Sequence, residues 1–203
     1  MKDIELRMIQ SQPTLLEGRR IEGCAIKFNS RSVDLGFYEE IKPEACTQEF
    51  IDTQDVLALF DHNQERGILA RSNKGVGNLK LDVRADGLYY SFDALDTPLG
   101  NEVLEYIRSG IIEGSSFAFA VDPNDEDAET WTRSADGSLH RTIRKFAMIA
   151  DVSCVVHPAY PATTCACRSL DKFLEEEKRN KEEEDKLQAE YQEFLDKIEK
   201  IEE

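Results

Sequence analysis

The sequence predicts a mainly β protein with peripheral helices, an α+β fold that is followed by a C-terminal helix. Short strand-like segments separated by turn residues make up most of the first 168 residues. Asp86-Gly87 and Ala135-Asp136-Gly137 each stand between two such segments, as turns of β-hairpins do. Because only two or three helices accompany many short strands, the pattern indicates a closed or semi-closed β-barrel with helices around it.

Local patterns predict the individual elements. The continuous apolar run V-L-A-L-F predicts a buried strand at Val56–Phe60. Pro43 suits the first turn of a short helix that extends toward Phe50. Thr97-Pro98 begins a second helix, and Gly110 ends it. The other predicted strands are Arg20–Asn29, Leu35–Ile41, Asn78–Arg84, Leu88–Leu95, Ile111–Val121, Thr130–Thr132, Leu139–Arg144 and Met148–Val156.

Composition changes near residue 168 and divides the chain into a β-barrel domain, 1–168, and an acidic helical tail, 169–203. The tail contains 14 acidic and 7 basic residues but no Gly or Pro, which favours a helix. Its second half carries apolar residues at alternating spacings of four and three: Leu187, Tyr191, Phe194, Ile198 and Ile201. This seam predicts either a helix that packs on its own domain or a short coiled coil or docking arm for a partner.

The charge of the chain limits its partners. The formal net charge is −16, which argues against nucleic-acid binding because phosphate neutralisation needs clustered Lys and Arg. No apolar run approaches the roughly 20 residues that span a bilayer. The charged N-terminus does not have the pattern of a signal peptide. These features predict a cytosolic protein that binds neither membranes nor nucleic acid.

Three positions suit a nucleophile–base–acid set. His62 follows the most apolar predicted strand within the polar cluster D-H-N, where it is either a functional base or a histidine that caps a turn. Asp151 stands inside the apolar strand M-I-A-D-V-S-C-V-V, where an ionised carboxylate needs a partner unless it lies on an exposed face. The third position is a serine after Gly114, Ser115 or Ser116, in a stretch that is equally typical of an ordinary strand start.

Six short stretches follow one another in a specific order. They are G-C-A-I-K-F-N at 23–29, F-Y-E-E-I-K-P-E-A at 37–45, V-L-A-L-F-D-H-N at 56–63, G-L-Y-Y-S-F-D-A-L-D-T at 87–97, I-R-S-G-I-I-E-G-S-S-F-A-F at 107–119 and D-V-S-C-V-V-H-P-A-Y-P-A-T at 151–163. Together they resemble the prohead (capsid maturation) proteases of tailed bacteriophages, which are distantly similar to the herpesvirus assemblins. The resemblance spans roughly residues 20–168 and implies an assemblin-like barrel.

The resemblance implies a role for three residues. His62, after the apolar strand, corresponds to the general base, and Ser116, directly before Phe-x-Phe, corresponds to the nucleophile. Asp151, which opens D-V-S, corresponds to the acid that orients the base. The family more often has Glu at the acid position and often has an apolar residue where Ser115 stands. Ser116 is favoured over Ser115 because successive strand residues face opposite sides, so that only one of them can meet His62.

The same resemblance implies a serine endopeptidase that cleaves scaffold segments, capsid-protein extensions and itself. Its expected place is inside the assembling procapsid, in the cytoplasm of the bacterial host. Gly114, Ser115 and Phe117 are the expected oxyanion and substrate-binding positions. The implied partners are the major capsid protein, a scaffold protein and further copies of the chain, in a dimer or higher homo-oligomer. A non-enzymatic capsid assembly or scaffolding protein on the same fold is the main alternative.

The five cysteines are expected to be reduced thiols, because their number is odd and no secretory signal is present. Cys165 and Cys167 lie near His157, but their spacing is poor for zinc. No metal or organic cofactor is therefore expected. A hydrolase that uses Cys154 or Cys165 as nucleophile with His157 as base is a second alternative, which thiol alkylation would separate from a serine enzyme.

Overall fold

The computed structural model describes residues 4–156 and 164–202. Its strands are β1 (Glu5–Ile9), β2 (Thr14–Leu15), β3 (Arg20–Lys27), β4 (Tyr38–Ile41), β5 (Asp55–Phe60), β6 (Ala70–Asn73), β7 (Val76–Gly77), β8 (Lys80–Arg84), β9 (Gly87–Asp93), β10 (Gly114–Ala120), β11 (Glu129–Arg133), β12 (Leu139–Ile143) and β13 (Met148–Val155). Its helices are α1 (Gln48–Ile51), α2 (Pro98–Arg108) and α3 (Thr164–Glu202), and 3-10 turns occupy Pro43–Ala45 and Gln64–Arg66.

The strands form three sheets. A six-stranded sheet has the order β1-β10-β13-β5-β6-β7, a four-stranded sheet has β2-β3-β9-β8, and a three-stranded sheet has β11-β12-β4. Each sheet ends in two different strands, so none closes on itself within the described residues. The prediction of a mainly β fold with a few helices is confirmed, but the sheets are open and do not form the closed barrel, and the assemblin-like barrel is not confirmed. Alternation and turn signals predict strands without saying which strands pair, and closure depends on that pairing.

Most predicted elements are present. β8 pairs with β9 and β11 pairs with β12, which confirms both hairpins. α2 begins after Thr97, whose hydroxyl accepts a hydrogen bond from the Gly100 amide, and it ends before Gly110. The predicted single helix after Lys42 is divided into a 3-10 turn and α1, because Thr47 caps a second helix start. β1, β2, β6 and β7 were not among the predicted strands, since they are short or carry polar residues at alternate positions.

The centre of the six-stranded sheet is its most buried part. Every residue of β10 is buried, and β10 pairs antiparallel with β1 on one side and with β13 on the other. The Phe117 ring packs against Phe119 and Phe146 with centroid distances of 5.0 and 6.0 Å. β13 in turn pairs in parallel with β5. The sheet therefore brings together residues of β10, residues of β13 and the residues that directly follow β5.

The chain divides into two compact units, Met1–Cys165 and Ala166–Glu203. α3, 39 residues long, makes up most of the second unit. Leu187 and Tyr191 of the predicted apolar seam are exposed. The side chains of Phe194, Ile198 and Ile201 lie outside the described residues, so the partner of the seam stays a prediction. None of the described helices combines the length and the apolar character that crossing a membrane requires.

Candidate active site

His62 stands in a strained turn directly after β5. Asp61 and His62 both have left-handed backbone conformations, with φ of 49° and 56°, which cost a non-glycine residue roughly 1–2 kcal/mol each. The end of β13 holds this turn. The Asp61 amide donates to the Cys154 carbonyl oxygen at 3.0 Å, and the Asp61 carboxylate accepts from the Val156 amide at 3.0 Å. His62, one of the two residues with this strained backbone, is thus also the residue whose side chain enters the site.

The imidazole of His62 connects Asp151 with Ser116. Its Nδ1 lies 2.6 Å from Asp151 Oδ1, and its Nε2 lies 2.6 Å from Ser116 Oγ. Asp151 lies on β13 and Ser116 on β10, and both residues are buried, while 9% of the His62 side chain remains exposed. The three side chains form a continuous carboxylate–imidazole–hydroxyl chain, which is the arrangement that activates a serine as a nucleophile.

The neutral imidazole has a defined role in the contacts with Asp151 and Ser116. An ionised Asp151 only accepts hydrogen bonds, so Nδ1 of His62 carries the proton of the neutral ring and Nε2 is left as an acceptor. The Ser116 hydroxyl can then donate to Nε2. The same hydroxyl lies 2.8 Å from the carbonyl oxygen of Arg7 in β1. Because Ser116 has a single proton to donate, that proton is shared between the imidazole and the β1 backbone.

β1 covers the nucleophile strand. Its pairing with β10 places Met8 opposite Ser116, and Ser116 is 0% exposed. Gly114 permits the close approach of the two strands, because a Cβ there would lie 2.7 Å from the carbonyl oxygen of Ile9. In this structure β1 thus helps to shield Ser116 from solvent.

A cluster of five charged side chains fixes β1: Glu5 and Arg7 of β1, Glu39 of β4, Glu129 of β11 and Arg141 of β12. Arg7 donates to Glu39 through two nitrogens, each at 2.8 Å. Arg141 donates to Glu5 at 2.7 and 2.8 Å. Burial raises the pKa of Glu5, but the hydrogen bond from Arg141 and the charges of Arg141 and Arg7 outweigh it and hold the pKa below its ordinary value. The cluster therefore keeps the Arg7 carbonyl beside Ser116.

Ser115 is directed away from the imidazole. Its Oγ lies 2.9 Å from the Tyr90 hydroxyl and donates to the carbonyl oxygen of Ser11 at 3.2 Å. Ser115 and Ser116 are thus separated by strand alternation, and the hydroxyl that meets His62 belongs to Ser116. Tyr90, whose hydroxyl contacts Ser115, belongs to β9 of the four-stranded sheet.

Gly114 and Phe117 do not bring a side chain to the triad. Gly114 packs against the β1 backbone, and the Phe117 ring lies in the aromatic core. The oxyanion and substrate-binding roles expected of Gly114, Ser115 and Phe117 rest on backbone groups of β10, and they stay predictions.

Burial disfavours the thiolate form of two cysteines. It raises the pKa of Cys154 to about 11 and that of Cys46 to about 12, so that both stay protonated at neutral pH. His157 and the side chains of Cys165 and Cys167 lie outside the described residues. Among the residues that are described, no group of three or more His, Cys, Asp and Glu side chains could hold a metal ion.

Ser153 belongs to the site although the sequence pattern did not single it out. It is buried on β13, directly opposite Ser116 in the register with β10. Its hydroxyl donates to Asp151 Oδ1 at 2.9 Å and accepts from the His62 amide at 3.3 Å. The available signal is its position two residues after Asp151, which places both side chains on one face of the strand. The contact of the Arg7 carbonyl oxygen with Ser116 could not be predicted from the sequence, because every residue has the same backbone carbonyl group.

A buried carboxylate–imidazole–hydroxyl chain is the arrangement typical of serine hydrolases. The chain belongs to the caudovirus prohead serine protease family, whose model matches residues 4–176. The resemblance drawn from the six stretches is thereby confirmed, and the family is one of phage capsid maturation proteases.

Comparison with solved structures agrees on the fold. The capsid assembly protease of bacteriophage T4 aligns with a TM-score of 0.50, over 75% of this chain and 96% of that chain, at 13% sequence identity. At that identity the similarity establishes a shared fold and no more. A search among curated protein sequences found no significant match.

Proposed function

We propose that this chain is a serine endopeptidase of procapsid maturation in which Ser116 is the nucleophile, His62 the general base and Asp151 the orienting acid. The observation that carries the proposal is the unbroken chain from Asp151 Oδ1 through the imidazole to Ser116 Oγ, with both contacts at 2.6 Å. Membership of the prohead serine protease family supports the same reaction class.

The mechanism follows from the donor and acceptor roles. His62 Nε2 takes the Ser116 proton as Oγ attacks the scissile carbonyl carbon, and the imidazolium then gives this proton to the leaving amine. An acyl-enzyme remains on Ser116 until water, deprotonated by His62, hydrolyses it. Asp151 holds Nδ1–H in place and stabilises the imidazolium. Backbone N–H groups near Ser116 are the expected oxyanion donors.

The proposed substrates are scaffold segments and capsid-protein extensions in the assembling procapsid, together with the protease itself. The name of the T4 neighbour, a capsid assembly protease, supports this class of partner. The acidic helical tail of residues 169–203 suits a docking arm, because it offers a long charged helix to a partner.

The test is intact-mass spectrometry of the protein co-expressed with its capsid or scaffold protein. We expect fragments with the unmodified chain and with Ser115→Ala, and none with Ser116→Ala. Ser115→Ala is the matched control, because it removes the neighbouring hydroxyl, which does not contact His62. Identical patterns from all three proteins would refute the serine assignment and favour a non-enzymatic assembly protein.

Thiol alkylation before the cleavage assay separates the cysteine-dependent alternative from a serine enzyme. A serine enzyme keeps its activity after thiol alkylation, whereas a cysteine enzyme loses it. The raised pKa of Cys154, caused by burial, argues against its thiolate as a nucleophile.

We further propose that activity depends on confinement or oligomerisation, because a protease active before assembly would destroy its own pathway. The buried state of Ser116 supports a requirement for activation. We expect the cleavage rate per molecule to rise with protein concentration. A dilute monomer that cleaves a scaffold peptide as fast as concentrated enzyme would contradict this.

A further inference from the structure

We infer that Ser153 is a positioning residue of the active site, which holds the base and the acid in register for proton transfer. The inference rests on the proposed function of Ser116, His62 and Asp151. Ser153 contacts two members of that set through one hydroxyl: the carboxylate of Asp151 and the backbone of His62.

The hydrogen-bond roles of Ser153 are fixed by its neighbours. A carboxylate accepts only, so the single Ser153 proton goes to Asp151 Oδ1, at 2.9 Å. The Ser153 oxygen is then free to accept the His62 amide, at 3.3 Å. Nδ1 of His62 lies 3.3 Å from the same oxygen and 2.6 Å from Asp151 Oδ1, so its proton is directed mainly to the carboxylate. Every group has one consistent role.

The backbone at His62 makes this contact important. Asp61 and His62 are consecutive residues with positive φ, a conformation that persists only where surrounding groups hold it. The Asp61 side of the turn is held by Cys154 and Val156 of the β13 end, and the His62 amide is held by Ser153. The Asn63 amide also closes the turn by donating to the Phe60 carbonyl oxygen at 3.0 Å. Loss of the Ser153 hydroxyl therefore removes the partner of the His62 amide and loosens the placement of the imidazole without opening the turn.

The location of Ser153 also links the base to the nucleophile strand. In the antiparallel register of β10 and β13, Ser153 is the direct partner of Ser116. The Cβ atoms of such partners lie about 4.5–5.5 Å apart. Ser153 thus stands beside the nucleophile while its hydroxyl turns to Asp151 and His62, and it is buried from solvent. A group in this position sets the distance between Nε2 and Oγ without taking part in bond making.

The experiment compares Ser153→Ala with Ser153→Thr, which keeps the hydroxyl, and with Ser72→Ala. Ser72 is a buried serine on β6 of the same sheet, so its substitution controls for a general effect of removing a buried hydroxyl. The functional readout is the rate at which a fluorophosphonate probe labels Ser116, with Ser116→Ala as the blank. The structural readout is NMR hydrogen exchange of the His62 amide.

We expect Ser153→Ala to lower the maximal labelling rate roughly 10- to 100-fold, because misplacement of a catalytic group has effects of this size. The probe concentration for half-maximal rate should stay unchanged. The His62 amide should exchange faster in Ser153→Ala, whereas Ser153→Thr and Ser72→Ala should keep the parent values of both readouts.

Two failures are distinguishable. Labelling is carried out under the conditions in which the parent protein cleaves its capsid or scaffold partner. If the parent is not labelled at Ser116 there, the proposed role of Ser116 is wrong, and the exchange of the His62 amide still tests the contact with Ser153. If the parent is labelled but Ser153→Ala matches Ser72→Ala in labelling rate and in amide exchange, the positioning role of Ser153 is wrong. Urea midpoints of all variants confirm that the compared proteins are folded.

Discussion

Replacement of Arg141 by methionine should destabilise the protein more than any surface substitution. Arg141 is 1% exposed. It donates to Glu5 at 2.7 and 2.8 Å, to Glu39 at 2.9 Å and to Glu129 at 2.6 Å. Arg141→Met fills a similar volume but leaves these three carboxylates with Arg7 as the remaining cation of the cluster.

The magnitude follows from the charges left behind. Removal of one partner from a buried ion pair costs about 3–5 kcal/mol, because the other partner stays buried without compensation. Such a loss is a large fraction of a typical free energy of unfolding, about 5–15 kcal/mol. For a chain of this size each kcal/mol lowers Tm by roughly 2–4 °C. We therefore expect Arg141→Met to lower Tm by about 6–20 °C.

Urea denaturation followed by Trp131 fluorescence measures the effect. Trp131 is the single tryptophan and lies beside Arg141, with 5.8 Å between the guanidinium carbon and the ring centroid. The substitution will change the signal amplitude, but the midpoint reports unfolding. Arg108→Met is the control, because Arg108 pairs with Glu105 on the exposed side of α2 and its loss should cost under about 0.5 kcal/mol.

A double variant tests the physical reason. Glu5→Gln combined with Arg141→Met removes one negative charge from a cluster in which Arg7 is then the remaining cation, so it should recover part of the stability that Arg141→Met loses. The reasoning is refuted if Arg141→Met costs less than about 1 kcal/mol, or if the added Glu5→Gln makes the loss larger.

Three further outcomes follow from the structure. Because the pKa of Glu5 is held below its ordinary value of 4.5, its carboxylate stabilises the fold fully above that pH. This contribution is lost as the pH falls through the pKa of the folded state. Tm should therefore drop on acidification, and a Glu5→Gln variant with the same acid drop would contradict this. With the pKa of Cys46 raised to about 12 and that of Cys154 to about 11 by burial, native protein at neutral pH should resist iodoacetamide at both thiols. Mass spectrometry that finds either one alkylated before unfolding would disprove it. Gly114→Ala should lower the free energy of unfolding by about 1–3 kcal/mol, because its Cβ would lie 2.7 Å from the carbonyl oxygen of Ile9 in β1. An unchanged urea midpoint would contradict this prediction.

Local patterns marked His62 and Asp151 as candidates, and the resemblance to the prohead proteases added the choice of Ser116. His62 ended an apolar strand, Asp151 interrupted another, and Ser116 followed Gly114 by two positions in a third. The side-chain period of a strand then separated Ser115 from Ser116, and the structure places their hydroxyls on different partners. These are properties of short segments, so they need no knowledge of the fold.

The edges of the sheets were less predictable. β1 reads as a charged terminus, because Glu5 and Arg7 alternate with Leu6 and Met8. A strand pattern with a charged face is typical of an exposed strand. Here that face is buried because Glu39 and Arg141, from distant parts of the chain, supply the opposite charges. The prediction of barrel closure was wrong for a related reason, because closure of a sheet depends on which edge strands pair.

The sequence by itself determined the mainly β class, both hairpins and the capped α2, and it made His62, Asp151 and a serine after Gly114 candidates for the site. Those features depend on hydrophobic period, turn chemistry and residue type over a few neighbouring positions. Only the tertiary structure decided that β1 covers Ser116, that the sheets stay open and that Ser153 joins Asp151 to His62. Each of these depends on strand register between segments far apart in the chain, which no local pattern encodes.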